Sequence, residues 1–283
     1  MQVDSPMDEA LAGSDEWPAT AVAVGVVDST AHQIARGTIG ERLEWASVTK
    51  LLTATATLVA IEERTVDLDD ELGPPGATLR HLLAHASGLS TDGHDVLAAP
   101  GTRRIYSNTA FELVADHVSR LAEMPFVEYL SQAVLDPLGM SSTSLDGSPA
   151  WGARGPLIDL LKLGAELLTP TILSPTMLRT ATTVALPGLA GVLPGFGEQV
   201  PNDWGLGFEL RGDKSPHWTG RTNSPRTFGH FGRAGGFLWV DPVAQLACAC
   251  LTNRSFGPWA ARAWPVLGDA VLHARRLQSP PIA

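Results

Sequence analysis

Ser47-Val48-Thr49-Lys50 sets a hydroxyl and an amine three residues apart, just ahead of an apolar stretch from Leu51 to Ile61 that contains neither Gly nor Pro. Such a stretch predicts a buried helix, and residues i and i+3 share one face of it. A serine on the opening turn also has its backbone N–H among the helix's unpaired donors, aimed where an oxyanion would lie. Four residues can therefore supply a nucleophile, a base and half of an oxyanion hole, which are the parts acyl transfer needs. The same residues also suit a Ser N-cap with a solvated lysine one turn on, so other motifs must decide. Lysine is scarce: Lys50, Lys162 and Lys214 are the full set.

Other chemistry-bearing residues are few. Cys248 and Cys250, the two cysteines, point to the same face if they lie on a strand and are too close in sequence for a relaxed disulfide. We read them as small buried residues in a reducing compartment. His81 and His85 stand at helical i, i+4 spacing, which suits zinc in principle. No general-base Glu lies between them and no third ligand is evident, so we read a structural pair and expect no metal and no cofactor.

The 283 residues, 44% apolar, can bury a large core as one large domain or two smaller ones. A formal charge of −10, with no basic stripe, argues against nucleic-acid binding. The N-terminus, Met1 to Glu9, has neither a basic nor an apolar leader region, and no apolar run approaches membrane-spanning length. The expectation is a cytoplasmic protein with no membrane partner; the oligomeric state is not legible.

The elements that must position Ser47 follow from periodicity. After a polar lead, Thr20–Asp28 reads as a strand and His32–Gly37 as its return partner. Helices are expected at Leu79–His85, ended by Gly88, and at Phe111–Leu121, Phe126–Leu135 and Asp159–Leu168. Residues 183–226 read as loop-rich. Strands return at Gly205–Leu210, Phe237–Val240 and Leu246–Leu251, and a closing helix spans Trp264–Leu277 with Pro265 in its first turn. Strands at both ends with helices between predict an α+β fold. Its antiparallel sheet, built from both termini and flanked by helices, belongs to residues 1–65 plus 200–283, and an inserted, mainly helical lobe to 66–199. A cleft between the two is the natural place for a site.

Two further motifs fall where that cleft needs them: Tyr106-Ser107-Asn108 and His230-Phe231-Gly232. In order, S-x-x-K, Y-S-N and H-x-G resemble the serine β-lactamase and penicillin-binding protein superfamily, in its class C-like branch with related esterases and D-amino-acid peptidases. Val66–Asp70, Leu79–Leu89, Asp136–Met140, Trp204–Gly207 and Leu251–Arg254 also look like that branch's connecting motifs. The resemblance implies a β-lactamase/transpeptidase-like fold. It also implies an acyl-enzyme on Ser47, with Lys50 as base and Tyr106 sharing the proton or passing it to the leaving group. Lys50 can serve only when neutral, so its pKa must fall from about 10.4 to about 7 through burial and nearby positive charge. Tyr129, the other tyrosine, reads as packing.

By the same resemblance Asn108 holds Lys50 or the substrate, and His230 orients or electrostatically assists Tyr106. Gly232 permits close approach of its strand, and the backbone N–H groups of Ser47 and Arg233 form the oxyanion hole. One position departs from the pattern. Relatives that bind β-lactams or peptide C-termini usually carry Thr or Ser where this chain has Phe231, which cannot donate a hydrogen bond. Arg233 could supply positive charge if it turns inward. The leading expectation is an esterase-type serine hydrolase acting on a small ester or amide. A β-lactamase or D-alanyl-D-alanine carboxypeptidase/D-aminopeptidase remains open, as does a catalytically weak ligand-binding protein on the same fold. No G-x-S-x-G supports an α/β-hydrolase.

Overall fold

The computed structural model describes residues 5–278. The chain opens with helix α1 (Pro6–Ala12), where Ser5 and Asp8 form a capping box. A hairpin follows, β1 (Val22–Asp28) and β2 (Gln33–Gly37), then β3 (Leu43–Glu44) and a 3-10 turn (Ala46–Val48) that feeds α2 (Thr49–Glu62). The middle carries α3 (Leu79–Leu83), α4 (Asn108–Leu121) and α5 (Phe126–Leu130), the last continuing into a π-helical turn at Ser131–Leu135. Next come β4 (Ser144–Leu145), β5 (Ala153–Gly155), α6 (Leu157–Leu168), α7 (Pro175–Ala181) and the hairpin β6 (Gly191–Leu193) and β7 (Gly197–Gln199). The chain then returns through β8 (Glu209–Leu210), β9 (Phe228–Gly232), β10 (Gly236–Asp241) and β11 (Leu246–Thr252) to α8 (Pro258–Gln278).

The main sheet runs β2-β1-β11-β10-β9-β8, each neighbouring pair antiparallel, so that strands from both ends of the chain pair at its centre, with Val24 opposite Cys250. Side chains alternate across a strand, which divides the sheet's residues between two cores. Ala23, Val27, Ala247, Ala249, Leu251, Leu238 and Val240 face the core that holds α2, α4 and α6. Val24, Val26, Cys248, Cys250, Phe237 and Trp239 face the core made with α1 and α8. Each Val, Leu or Phe among them contributes about 1.5–3 kcal/mol on burial, the alanines less. The two cysteines are free and buried on one face, as their spacing requires.

α2 threads the first core and is buried along nearly its whole length. Its threonines do not leave polar atoms stranded there: Thr55 and Thr57 donate to the carbonyls of Leu51 and Thr53, and Thr53 donates to Pro149 O.

Several elements differ from the periodicity reading. The closing helix begins at Pro258, so Pro265 lies inside it. Packing of Ala260 and Trp264 into the second core carries the helix through the one bond that Pro265 cannot make. The helix expected through His85 stops at Leu83, and His85 has φ 52°, which breaks the i, i+4 relation with His81. Only Glu209–Leu210 of the expected 205–210 strand pairs, since Gly207 turns the chain at φ 90°. The polar lead contains α1, and the loop-rich stretch contains β6 and β7. α6, inside the stretch 66–199, packs on β1, β10 and β11. A Cβ on its Gly164 would meet Ala247 and Leu238 at 3.2 Å. The division at 66 and 199 therefore does not follow the packing.

Candidate active site

Ser47 sits on the 3-10 turn before α2, half-buried at the floor of a cleft of about 610 Å³. The preceding residue, Ala46, has φ 44°, a conformation that costs a non-glycine residue about 1–2 kcal/mol and tends to persist where a site requires it. Strand β9 runs directly against this turn. A Cβ on Gly232 would lie 2.3 Å from Trp45 O and 3.2 Å from Ser47 N, so only glycine lets the end of β9 approach the serine's amide. The Arg233 side chain is exposed and borders the cleft.

Lys50, one helical turn on, is fully buried. Its Nζ donates to Asn108 Oδ1 at 2.6 Å and to Ala150 O at 2.9 Å, and lies 4.6 Å from the centre of the Tyr106 ring. Burial draws its pKa down to about 7. The nearby charges acting on it, Asp92 and Glu112, are negative and oppose that fall; the positive neighbour expected from the sequence is replaced by desolvation. At neutral pH a large share of Lys50 is therefore a free amine.

Tyr106 is half-buried beside Lys50, with its hydroxyl shielded from solvent. Its hydroxyl faces Ser47 closely enough for the serine to favour the phenolate, yet it closes no hydrogen bond among the described residues. Burial raises the phenol's pKa well above its ordinary value, so it is a proton donor at neutral pH. The His230 ring lies 5.9 Å from that of Tyr106. Its Nδ1 lies 2.7 Å from Phe231 O, and because a carbonyl only accepts, the proton must be on Nδ1. Nε2 is then a bare acceptor, buried with no partner among the described residues. Burial, with Lys50 nearby, lowers the His230 pKa to about 3. It can therefore serve Tyr106 as a neutral acceptor and not as a cation.

His85, read from the sequence as half of a structural pair, packs behind the site. Its Nδ1 accepts the Ser107 N–H at 3.1 Å, and its ring packs at a tilt 4.6 Å from Tyr106 and meets Trp204 edge-on. His81 Nδ1 is instead used by Thr78 at the start of α3. Phe231 is packed among Phe196, Phe256, Trp218 and Trp264 and only 9% exposed, so it shows the cleft one edge. Beneath the wall, buried Glu209 takes the Lys214 amine, His217 Nε2 and Trp218 Nε1; burial would raise its carboxyl pKa, but His217 and Lys214 hold it well below the usual range. Tyr129 packs in the core, its hydroxyl donating to Glu63.

Sequence reasoning missed Asp92, Glu112 and the carbonyl of Ala150. Asp92 accepts from Asn108 Nδ2 at 2.8 Å, but Thr91-Asp92-Gly93 reads only as a turn. A carbonyl leaves no side-chain signal at all. The cleft's apolar wall, formed by Trp204, Val192, Pro194 and Phe256, comes from segments distant in the chain. A neutral Lys50 one helical turn from Ser47 and a protonated phenol facing that serine are groups that can take one proton and return another.

A family model described as "Beta-lactamase" matches residues 15–272. The crystal structure of a beta-lactamase (Mb2281c) from Mycobacterium bovis superposes with a TM-score of 0.93 at 51% identity, covering 94% of this chain and 99% of that one. Unliganded simvastatin synthase (LovD) from Aspergillus terreus superposes with a TM-score of 0.78 at 17% identity over 98% of this chain and 100% of that one, a likeness of fold alone. The D-alanyl-D-alanine-carboxypeptidase/endopeptidase AmpH of Escherichia coli K12 is 30% identical over 141 residues. That match spans 37% of this chain and 37% of AmpH, well under half of the curated relative's length. Among the described residues no helix is long and apolar enough to cross a membrane.

Proposed function

Because the chain belongs to the beta-lactamase family of serine hydrolases, we propose that it hydrolyses small esters or amides, most readily esters, through an acyl-enzyme on Ser47. Neutral Lys50 takes the Ser47 proton as Oγ attacks the carbonyl carbon, and the oxyanion is held by the N–H groups of Ser47 and Arg233. Collapse of the tetrahedral species expels the alcohol or amine, protonated by Lys50 through Tyr106. Water then repeats the sequence on the acyl-enzyme, with Ser47 as the leaving group. The observation that carries this reading is the fully buried Lys50, with a pKa of about 7, one helical turn from a half-buried serine in the cleft.

The ester preference rests on Phe231, whose ring belongs to an aromatic cluster and offers a substrate carboxylate no hydrogen bond. A cytoplasmic setting is part of the same reading, as the unpaired Cys248 and Cys250 suit a reducing compartment. A second reading, β-lactam or D-alanyl-D-alanine hydrolysis, draws support from the names of the Mycobacterium bovis and Escherichia coli relatives and from Arg103 and Arg233 bordering the cleft. Side-by-side assay of p-nitrophenyl esters, D-amino-acid amides, a D-alanyl-D-alanine peptide and a chromogenic cephalosporin separates the two. Ester turnover at least tenfold faster than the others supports the first reading. A faster cephalosporin or peptide supports the second, and no turnover of any substrate supports a ligand-binding protein.

A further inference from the structure

Lys50 is held by Asn108, and Asn108 is held in turn by a carboxylate at the rim of the cleft. We propose that Asp92 is a positioning residue for the base: it fixes the Asn108 amide with its oxygen toward Lys50 and sets a negative charge behind that pair. This rests on the reading of Lys50 as the base for Ser47.

The orientation follows from what each group can donate. Asp92 Oδ1 only accepts, so the group 2.8 Å from it must be the Asn108 nitrogen, and the Asn108 oxygen is left facing Lys50 Nζ at 2.6 Å. With the amide turned over, an N–H donor would face the amine and an oxygen the carboxylate. Asp92 is placed by a turn built for the purpose. Ser90 N donates to Asp95 O at 2.9 Å and Ser90 Oγ to Asp92 O at 2.9 Å. The turn is clamped to the start of α4 by Ser107 Oγ donating to Ser90 O and Asn108 N to Thr91 O, each at 2.7 Å. Turn, Tyr106-Ser107-Asn108 motif and helix end are thus one unit. On the far side of Lys50, Ala150 O accepts its second bond. Ser148 Oγ accepts the Ala150 N–H and donates to Glu112, so a second carboxylate closes that arm.

The charged and titratable groups that face Lys50 are Asp92, Glu112, Tyr106, His85 and His230. Burial pushes both imidazoles down and the phenol up, so none of the three changes charge between about pH 7 and 9. Glu112 is present in every variant considered. A change in the midpoint of base activity on replacing Asp92 therefore reports Asp92. The sign is fixed: its negative charge favours the lysine cation, and removing it lets Lys50 lose its proton at lower pH.

The test is the rate of Ser47 labelling by a fluorophosphonate probe as a function of pH in wild type, Asp92→Asn and Asp92→Ala, with thermal melts as a check of folding. Wild-type labelling should rise with a midpoint near pH 7, and both variants should show it lower by about half a pH unit or more. Asp92→Asn keeps an oxygen for the Asn108 amide and should hold its high-pH plateau within about threefold, whereas Asp92→Ala should lose roughly tenfold. Salt at 1 M should move the wild-type midpoint toward the variants and leave theirs in place. Variant midpoints equal to wild type, whatever the plateau, overturn the role of Asp92. Wild type that is not labelled at Ser47, or is labelled without pH dependence, overturns the underlying reading of Lys50 as well.

Discussion

A neutral lysine in a protein core is both reagent and burden. The amine that would activate Ser47 is available because burial lowers the Lys50 pKa to about 7, and the same burial sets a stability cost of definite sign. In the unfolded chain Lys50 binds its proton up to about pH 10.4, in the folded chain only to about 7, so folding releases protons over that window and stability gains from Lys50 as pH rises through it. A Lys50→Met variant lacks this dependence. Its melting temperature relative to wild type should be highest near pH 7 and fall as pH rises toward 10, measured by scanning calorimetry across that range. Catalytically, Lys50→Ala and Tyr106→Phe should each slow turnover by several powers of ten and the pair little more than the worse of them, as groups passing one proton do. Fully multiplicative losses would leave Tyr106 with a packing role. At this scale the sequence singles out Ser47, Lys50, Tyr106, Asn108 and His230 by side-chain chemistry, and the fold gathers them at one cleft. The sequence is silent on partners that are a carbonyl, such as Ala150 O on Lys50, or a turn residue, such as Asp92 on Asn108.

Elements place these residues through close backbone approach more than through side-chain contact. β9 reaches the Ser47 turn because Gly232 has no Cβ to strike Trp45 O. Gly232→Ala should therefore slow Ser47 labelling at least about a hundredfold by opening the oxyanion hole, with a smaller effect on the melt, since only the strand's end must move. Phe231→Thr should behave in the opposite way. Its ring fills the cluster of Phe196, Phe256, Trp218 and Trp264, and its loss should lower unfolding stability by about 3–5 kcal/mol in denaturant titrations. Strands and long helices were legible from their periods because one face of each is buried. Their ends were not: α8 starts ahead of Pro265 because tertiary packing outweighs one missing bond, and α3 stops short of His85, which takes a left-handed conformation and packs against Tyr106.

At the scale of the whole molecule, the chain's two ends meet in one sheet, and the cleft opens where β9, the start of α2 and the loops before α4 converge. Under its wall the buried Glu209 of β8 pairs with Lys214 and His217 and accepts from Trp218, a residue of the second core. Glu209 has its folded pKa drawn down to about 2, so its stabilising effect is complete above about pH 5 and is lost progressively as pH falls toward about 2. Glu209→Gln should lower stability at pH 7 by about 3–5 kcal/mol, because it strands the Lys214 cation, and should flatten the acid limb of the stability curve recorded by denaturant titration at successive pH values. The overall architecture was visible in the sequence through the order of S-x-x-K, Y-S-N and H-x-G, while the packing of α6 on the sheet rests on contacts between distant segments that no local pattern encodes. The central claim, that Ser47 is the residue acylated, is tested most directly by intact-mass and peptide-mapping measurement of wild type and Ser47→Ala after exposure to a fluorophosphonate. One phosphonyl adduct on Ser47, absent from Ser47→Ala, is the expected result; an adduct that persists in Ser47→Ala or maps to another residue would contradict the account.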